Sequence, residues 1–248
     1  MEPYEYQTLF DLEESYWWFC GMRAALRQVF QDYHLGHAER LLDAGCGTGR
    51  HVELLQELSP QIAFGLDYSE HAVPFWKRKQ LNRMVRGSLN TLPYQTGAFD
   101  VVISIDVIES NGIMVEEAFA EIARVTKPNG FVIVTAPAYR WLYSREHDRA
   151  VDASKRFSEN ELRQAIQRAG LRVRRLTHLF PSLFPLIALA RLASRLPPHH
   201  PDLQPVSDIK PLPRWLNACF TWLVLKEAQG LKWLDYAWGS TLMAVAQK

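Results

Sequence analysis

An α/β fold, a mostly parallel sheet with helices on both faces, follows from three features of this 248-residue sequence. Between residues 39 and 135, short apolar runs of strand character alternate with helical segments, the pattern of a parallel sheet buried on both sides. One run, Leu41-Leu42, leads into Asp43-Ala44-Gly45-Cys46-Gly47-Thr48-Gly49-Arg50 and then into His51-Val52-Glu53-Leu54-Leu55. That order predicts a strand, a tight glycine turn and a helix N-terminus. The length suits one sizeable domain with extensions, enough to bury a real core.

The elements follow in order. Residues 1–38 are rich in aromatics and acids and carry a helical pattern over Ala24-Ala25-Leu26-Arg27-Gln28-Val29-Phe30. The core is read as 39–176. Its last part opens on a loop around Pro137, after which Ser158 and Glu161 form a capping box ahead of Leu162-Arg163-Gln164-Ala165-Ile166. Gly170 closes that helix, and Leu171 to Leu176 reads as a strand with one wet face. Two apolar stretches follow, Leu183 to Ala190 and Trp215 to Leu225, separated by Pro197-Pro198-His199-His200-Pro201. Both are read as helices of an insertion, 177–240, ahead of a closing antiparallel strand in 241–248. The first stretch is too short to span a membrane. Arg191 and Arg195, four apart, are expected on one outward helical face. The insertion is read as a cap over the sheet or the substrate pocket, or else as a surface that touches a membrane or a greasy partner.

Composition excludes several classes. A formal net charge of +1 gives no electrostatic footprint for a nucleic-acid backbone. Met1-Glu2-Pro3-Tyr4-Glu5 has no basic-plus-apolar signal character, so a cytoplasmic location is expected. Cys20, Cys46 and Cys219 are far apart and make no disulfide or metal-ligand pattern, so no metal is expected. Cys46 reads as a small residue that lets the backbone approach a ligand.

The glycine turn discriminates between ligands. A dinucleotide fingerprint places its third small residue five positions after the first glycine. Here the third glycine comes after four, and the fifth position holds Arg50. Asp43 sits two residues before the first glycine, where a carboxylate would repel a pyrophosphate but attract an ammonium or sulfonium. A positively charged nucleoside fits better than a dinucleotide.

This stretch resembles motif I of the class I S-adenosylmethionine (SAM)-dependent methyltransferases, in the small-molecule branch, and further matches follow in order. They are Ile62 to Asp67, Gly87 to Pro93, Ala98 to Asp106, and Glu121 to Gly130 with Phe131 to Val134. The resemblance implies a Rossmann-like sheet of seven strands with SAM as cofactor. It places Asp43 near the methionine amino group, Gly45, Cys46, Gly47 and Gly49 against the ligand, Asp67 on the ribose and Tyr68 beside the adenine. Ser88, where the family usually has an acid, and Leu89 become adenine contacts. Asp106 and Val107 face the methionine end, with a helix cap as the plainer role for Asp106. The segment Glu13-Glu14-Ser15-Tyr16-Trp17-Trp18-Phe19-Cys20-Gly21-Met22-Arg23 is similar to the family's E-x-x-H-W-W-F-x-G-R. It makes 1–38 a helical lid with Trp18 and Arg23 as cofactor contacts. Pro137 to Asp148 resembles a P-A-Y-x-W-L-x-S-x-H-D stretch that faces the acceptor. It supplies His147 as base, with Tyr143 and Asp148 to orient it or the substrate.

Two departures stand out. The family continues its fourth motif as D-V-x-E-H, but Ser110 replaces the histidine here; a second histidine is missing from Asp152 to Ser158. The expected function is therefore methyl transfer from SAM to a small or lipid-like acceptor, in specialised-metabolite or glycoconjugate biosynthesis. Its partners would be that acceptor, no nucleic acid, and a peripheral membrane or a second copy through the C-terminal helices. The alternative is a non-catalytic SAM-binding protein or partner subunit that has lost its base.

Overall fold

The computed structural model describes residues 3–59, 61–193 and 209–248. In chain order its elements are α1 (Pro3–Leu12), α2 (Trp17–Asp32), β1 (Arg40–Ala44), α3 (Arg50–Leu58), β2 (Ile62–Asp67), α4 (Val73–Arg78), β3 (Met84–Arg86) and β4 (Phe99–Ile105). Then come α5 (Val115–Val125), β5 (Thr126–Pro137), α6 (Arg145–Ala150), α7 (Glu159–Arg168), β6 (Arg172–Leu179), α8 (Phe184–Ala193), α9 (Arg214–Gly230) and β7 (Thr241–Gln247). The described strands form one sheet in the order β3-β2-β1-β4-β5-β7-β6, with only β7 reversed against its neighbours. The strand order reverses direction between β1 and β4, the position at whose carboxyl ends α/β sheets place their ligands.

Strand periodicity assigns the two core layers. Leu41, Ile103, Ile133, Met243 and Val245 point to one face, with Met22, Leu26 and Val29 of α2 and Leu54 and Leu55 of α3. Leu42, Val102, Val132, Val134 and Ala244 point to the other, with Phe119 and Ile122 of α5 and Leu162 and Ile166 of α7. Full burial of each such side chain contributes about 1.5–3 kcal/mol before chain entropy is counted. The closing strand is buried on both sides because helices cover both faces.

The capping box before α7 forms as read, with Ser158 Oγ accepting from the Glu161 N–H and Glu161 accepting from the Ser158 N–H. Within 1–38, α2 is a core layer and α1 is the piece that meets the end of β2. The two apolar stretches of the insertion are helices α8 and α9. α9 packs along α2, and Asn217 latches the two: its Oδ1 accepts from Trp17 N–H at 3.0 Å and its Nδ2 donates to Ser15 C=O at 2.7 Å. α8 leans on the segment after β5, where Phe184 meets Tyr139 and Trp141. Arg191 corrects the expectation for α8. It is buried rather than outward, 3.6 Å from the Asp148 carboxylate, because that acid inside the loop outcompetes water for it. Arg195 lies outside the described residues. Among these residues, no helix is long and apolar enough to cross a membrane.

Candidate active site

The site is built around the turn from β1 to α3. Gly45, Gly47 and Gly49 all adopt left-handed backbone, with φ of 103°, 51° and 90°. That geometry costs an L side chain but not glycine. At Gly45 there is also no room, since a Cβ would lie 2.2 Å from Val107 Cγ2. At Gly47 a Cβ would meet nothing within 4 Å, so the turn presents bare backbone there. The amides of Gly45 and Cys46 donate to Leu66 C=O, which welds the turn to β2.

Beneath the turn, Asp43 is fully buried and both its carboxylate oxygens are without a protein partner. Burial first, and then the charge of Asp67, push its pKa well above the ordinary aspartate value. Burial does the same to the Cys46 thiol, aided by Asp43 and Asp67, so Cys46 stays protonated and acts as a small spacer. Asp67, the last residue of β2, accepts from Gly47 N–H at 2.8 Å, Ser69 N–H at 2.9 Å and the Tyr6 hydroxyl at 3.3 Å. Tyr6 comes from α1 and is itself buried. Just past α1, Glu13 accepts from the Thr48 hydroxyl on the turn and pairs with Lys79 at 2.6 Å. These three links tie α1 and the residue just past it to the glycine turn, the end of β2 and Lys79.

The other predicted residues lie variously around this centre. Tyr68 is 78% exposed beside Asp67. Leu89 is buried in the second core layer, and Ser88 Oγ accepts from Asn90 N–H in a tight turn. Arg23 donates to the carbonyls of Glu13 and Glu14, so it joins α2 to the end of α1. Trp18 packs edge-on to Phe19 and against Phe180, toward the insertion. Asp106 follows β4 in left-handed backbone, φ 51°, and caps no helix. Instead it accepts from the Thr135 hydroxyl at 2.6 Å, while its own N–H donates to Thr135 Oγ1 at 3.0 Å.

The residues expected on the acceptor side sit on or beside α6. Asp148 is 1% exposed, pairs with Arg156 at 2.8 Å and accepts from Ser144 N–H at 2.6 Å. With Arg191 at its other oxygen, it acts as the electrostatic centre of the loop. His147 beside it is driven well below the ordinary imidazole pKa, by burial first and then by the Arg191 and Arg156 guanidiniums. It is therefore neutral at pH 7 and a weak proton acceptor. Tyr143 lines a cavity of about 460 Å³ with Arg140, Lys155, Arg156 and Phe157. Glu109 is buried near this group with Oε2 unpartnered, and burial and Asp106 raise its pKa.

Tyr6, Thr48, Thr135, Arg156 and Glu109 escaped the sequence reading of the site. Thr48 and Glu109 carried a signal there, their places in the glycine turn and the fourth motif; the others are ordinary residues until the chain folds.

Residues 42–134 match the sequence profile of the methyltransferase domain family. The chain is 36% identical over 98 residues to a tRNA (carboxymethyluridine(34)-5-O)-methyltransferase of Arabidopsis thaliana, covering 38% of this chain and 23% of that protein. It is 29% identical over 101 residues to a malonyl-[acyl-carrier protein] O-methyltransferase of Serratia marcescens, covering 40% and 39%. These matches thus span less than half the length of either relative. A solved SAM-dependent methyltransferase from Mesorhizobium loti superposes with a TM-score of 0.56 at 15% identity, over 86% of this chain and 92% of that one, and shares the fold. The glycine turn, the buried acid beneath it and the strand order accompany this match, and residues 42–134 carry a methyltransferase domain.

Proposed function

We propose that this protein binds SAM and transfers its methyl group to a small or lipid-like acceptor. The observation that carries the reading is Asp43, a fully buried carboxylate with two unpartnered oxygens under a bare glycine turn. Such a group is costly unless a donor or cation arrives to meet it. The amino-acid end of SAM brings both. Gly45, Cys46, Gly47 and Gly49 would line its backbone side, and Asp67 would exchange part of its present donor set for the ribose hydroxyls. Tyr68, Ser88 and Leu89 would border the adenine, and Asp106 and Val107 the methionine end. Trp18 and Arg23 act here by shaping α1 and α2 around the site.

The bound cofactor supplies an electrophilic methyl on a sulfonium. The chain's own contribution is chiefly positioning and exclusion of water by α1 and the loop after β5. His147, neutral near pH 7, accepts the acceptor's proton only weakly, which suits a nucleophile that gives its proton up readily. Asp148 holds the loop through Arg156 and Arg191 and is a positioning residue. Tyr143 lines the cavity that this loop forms with α5 and α7.

The test is incubation with methyl-labelled SAM against a small-molecule extract, a lipid extract and bulk tRNA. Label in the first or second is expected. Label confined to tRNA would overturn the acceptor class, and tight SAM binding with no label anywhere would favour the non-catalytic alternative.

A further inference from the structure

The C-terminal helix carries a feature that the methyl-transfer site does not use. Four of the eight tryptophans, Trp215, Trp222, Trp233 and Trp238, are 56–79% exposed and lie between residues 215 and 238. α9 buries Val224 and Ala228 against the rest of the molecule and turns Trp215, Ala218, Cys219, Trp222 and Leu225 outward. Past Gly230 the chain keeps turning in the helical sense, as Leu231 N–H donates to Glu227 C=O and Leu234 N–H to Gly230 C=O. At about 100° per residue, Trp215 and Trp222 fall within about 20° of one line along α9, and Trp233 is exposed in the turn that continues it. Exposed leucines adjoin it at Leu225 and Leu234.

Among the described residues, charge on this surface has one sign where it is free. Lys210, Arg214, Lys226 and Lys232 are exposed, and Lys232 lies over the Trp233 ring at 4.8 Å. The two acids nearby are engaged elsewhere: Glu227 accepts from Ser182 N–H at 2.7 Å, and Asp235 pairs with Arg175 at 2.5 Å. A row of tryptophans interleaved with cations matches the boundary of an anionic bilayer. There the indole rings sit among headgroups and acyl chains, while the amines meet lipid phosphates. Among the described residues, four exposed cations without a free acid fit a negatively charged surface better than a second copy of this same basic face, which would repel it.

We propose that α9 and the turn after it are an interfacial anchor that seats the protein on an anionic membrane surface. This role is independent of whether the site transfers a methyl group. The test uses the full chain in co-sedimentation with phosphatidylcholine vesicles, with and without phosphatidylglycerol. Binding to the anionic vesicles is expected, weakening as salt rises because the cationic part is screened. Trp215→Ala/Trp222→Ala/Trp233→Ala should lower partitioning at least about tenfold with the unfolding midpoint unchanged, since the rings are exposed in the free protein. Lys226→Glu/Lys232→Glu, which leaves the rings in place, should lower it by about fivefold per charge on anionic vesicles only. The proposal falls if the wild type sediments with neither vesicle or binds both equally. It falls too if neither variant changes binding, or if the triple variant abolishes a concentration-dependent dimer while vesicles are never bound.

Discussion

Replacing Asp43 with Asn should stabilise the ligand-free protein and weaken its hold on SAM, two effects of opposite sign from one buried atom. The carboxylate is fully buried, without a partner for either oxygen, and its pKa is raised by burial and by Asp67. An acid whose folded pKa lies above its unfolded value binds more protons folded than unfolded, so stability falls as pH climbs between the two. The penalty begins near pH 4, where an unfolded aspartate titrates, and levels off above the raised folded pKa. Asn keeps the shape but cannot ionise, and so removes it. The gain at pH 8 should be about 1–3 kcal/mol, which corresponds to a tenfold to hundredfold bias against ionisation in the folded state. For a chain of this length that is about 2–12 °C in Tm. The gain should shrink steadily as pH is lowered toward 4. In calorimetric titration with SAM, the same variant should lose about 1.5–3 kcal/mol, the worth of a hydrogen bond to a charged group. Thermal unfolding from pH 4 to 8, with and without SAM, reads both effects. A variant less stable than wild type at pH 8 without SAM, or equal in SAM affinity, would refute the assignment of Asp43 as an unmet charge awaiting the cofactor.

Two further outcomes concern the loop after β5. Because burial, and then Arg191 and Arg156, hold His147 neutral, the pH–rate profile should show no inflection between about pH 6.5 and 8, and His147→Ala should lower turnover about a hundredfold with SAM affinity intact. An inflection near 6.5 that vanishes in the variant would mean that His147 titrates normally. Asp148→Ala should cost about 3–5 kcal/mol in urea unfolding, since it leaves the buried Arg156 and Arg191 without their anion. A loss under about 1 kcal/mol would show that the pair is not holding the loop.

The sequence alone pointed to the parallel α/β architecture and to a glycine turn flanked by Asp43 and Asp67, because those signals are local. The glycines must be glycines where φ is positive, strand runs must be apolar on both sides, and Ser158 with Glu161 caps a helix from three residues away. Asp43, Asp67 and the turn could be read together because one strand, one turn and one neighbouring strand place them. What the tertiary structure decided depends on pairs far apart in the chain. Tyr6 reaches Asp67 across 61 residues, and Asn217 reaches Ser15 across 202. Arg191 turned inward because Asp148, 43 positions earlier, needs a counter-charge in a dry loop; helical spacing alone had sent it to the surface. The same limit applied to α9, since an aromatic stretch looks alike whether it fills a core or faces outward. Only its packing on α2 fixed which side is buried and left a line of tryptophans exposed, because burial is set by what lies opposite a residue and not by its own side chain.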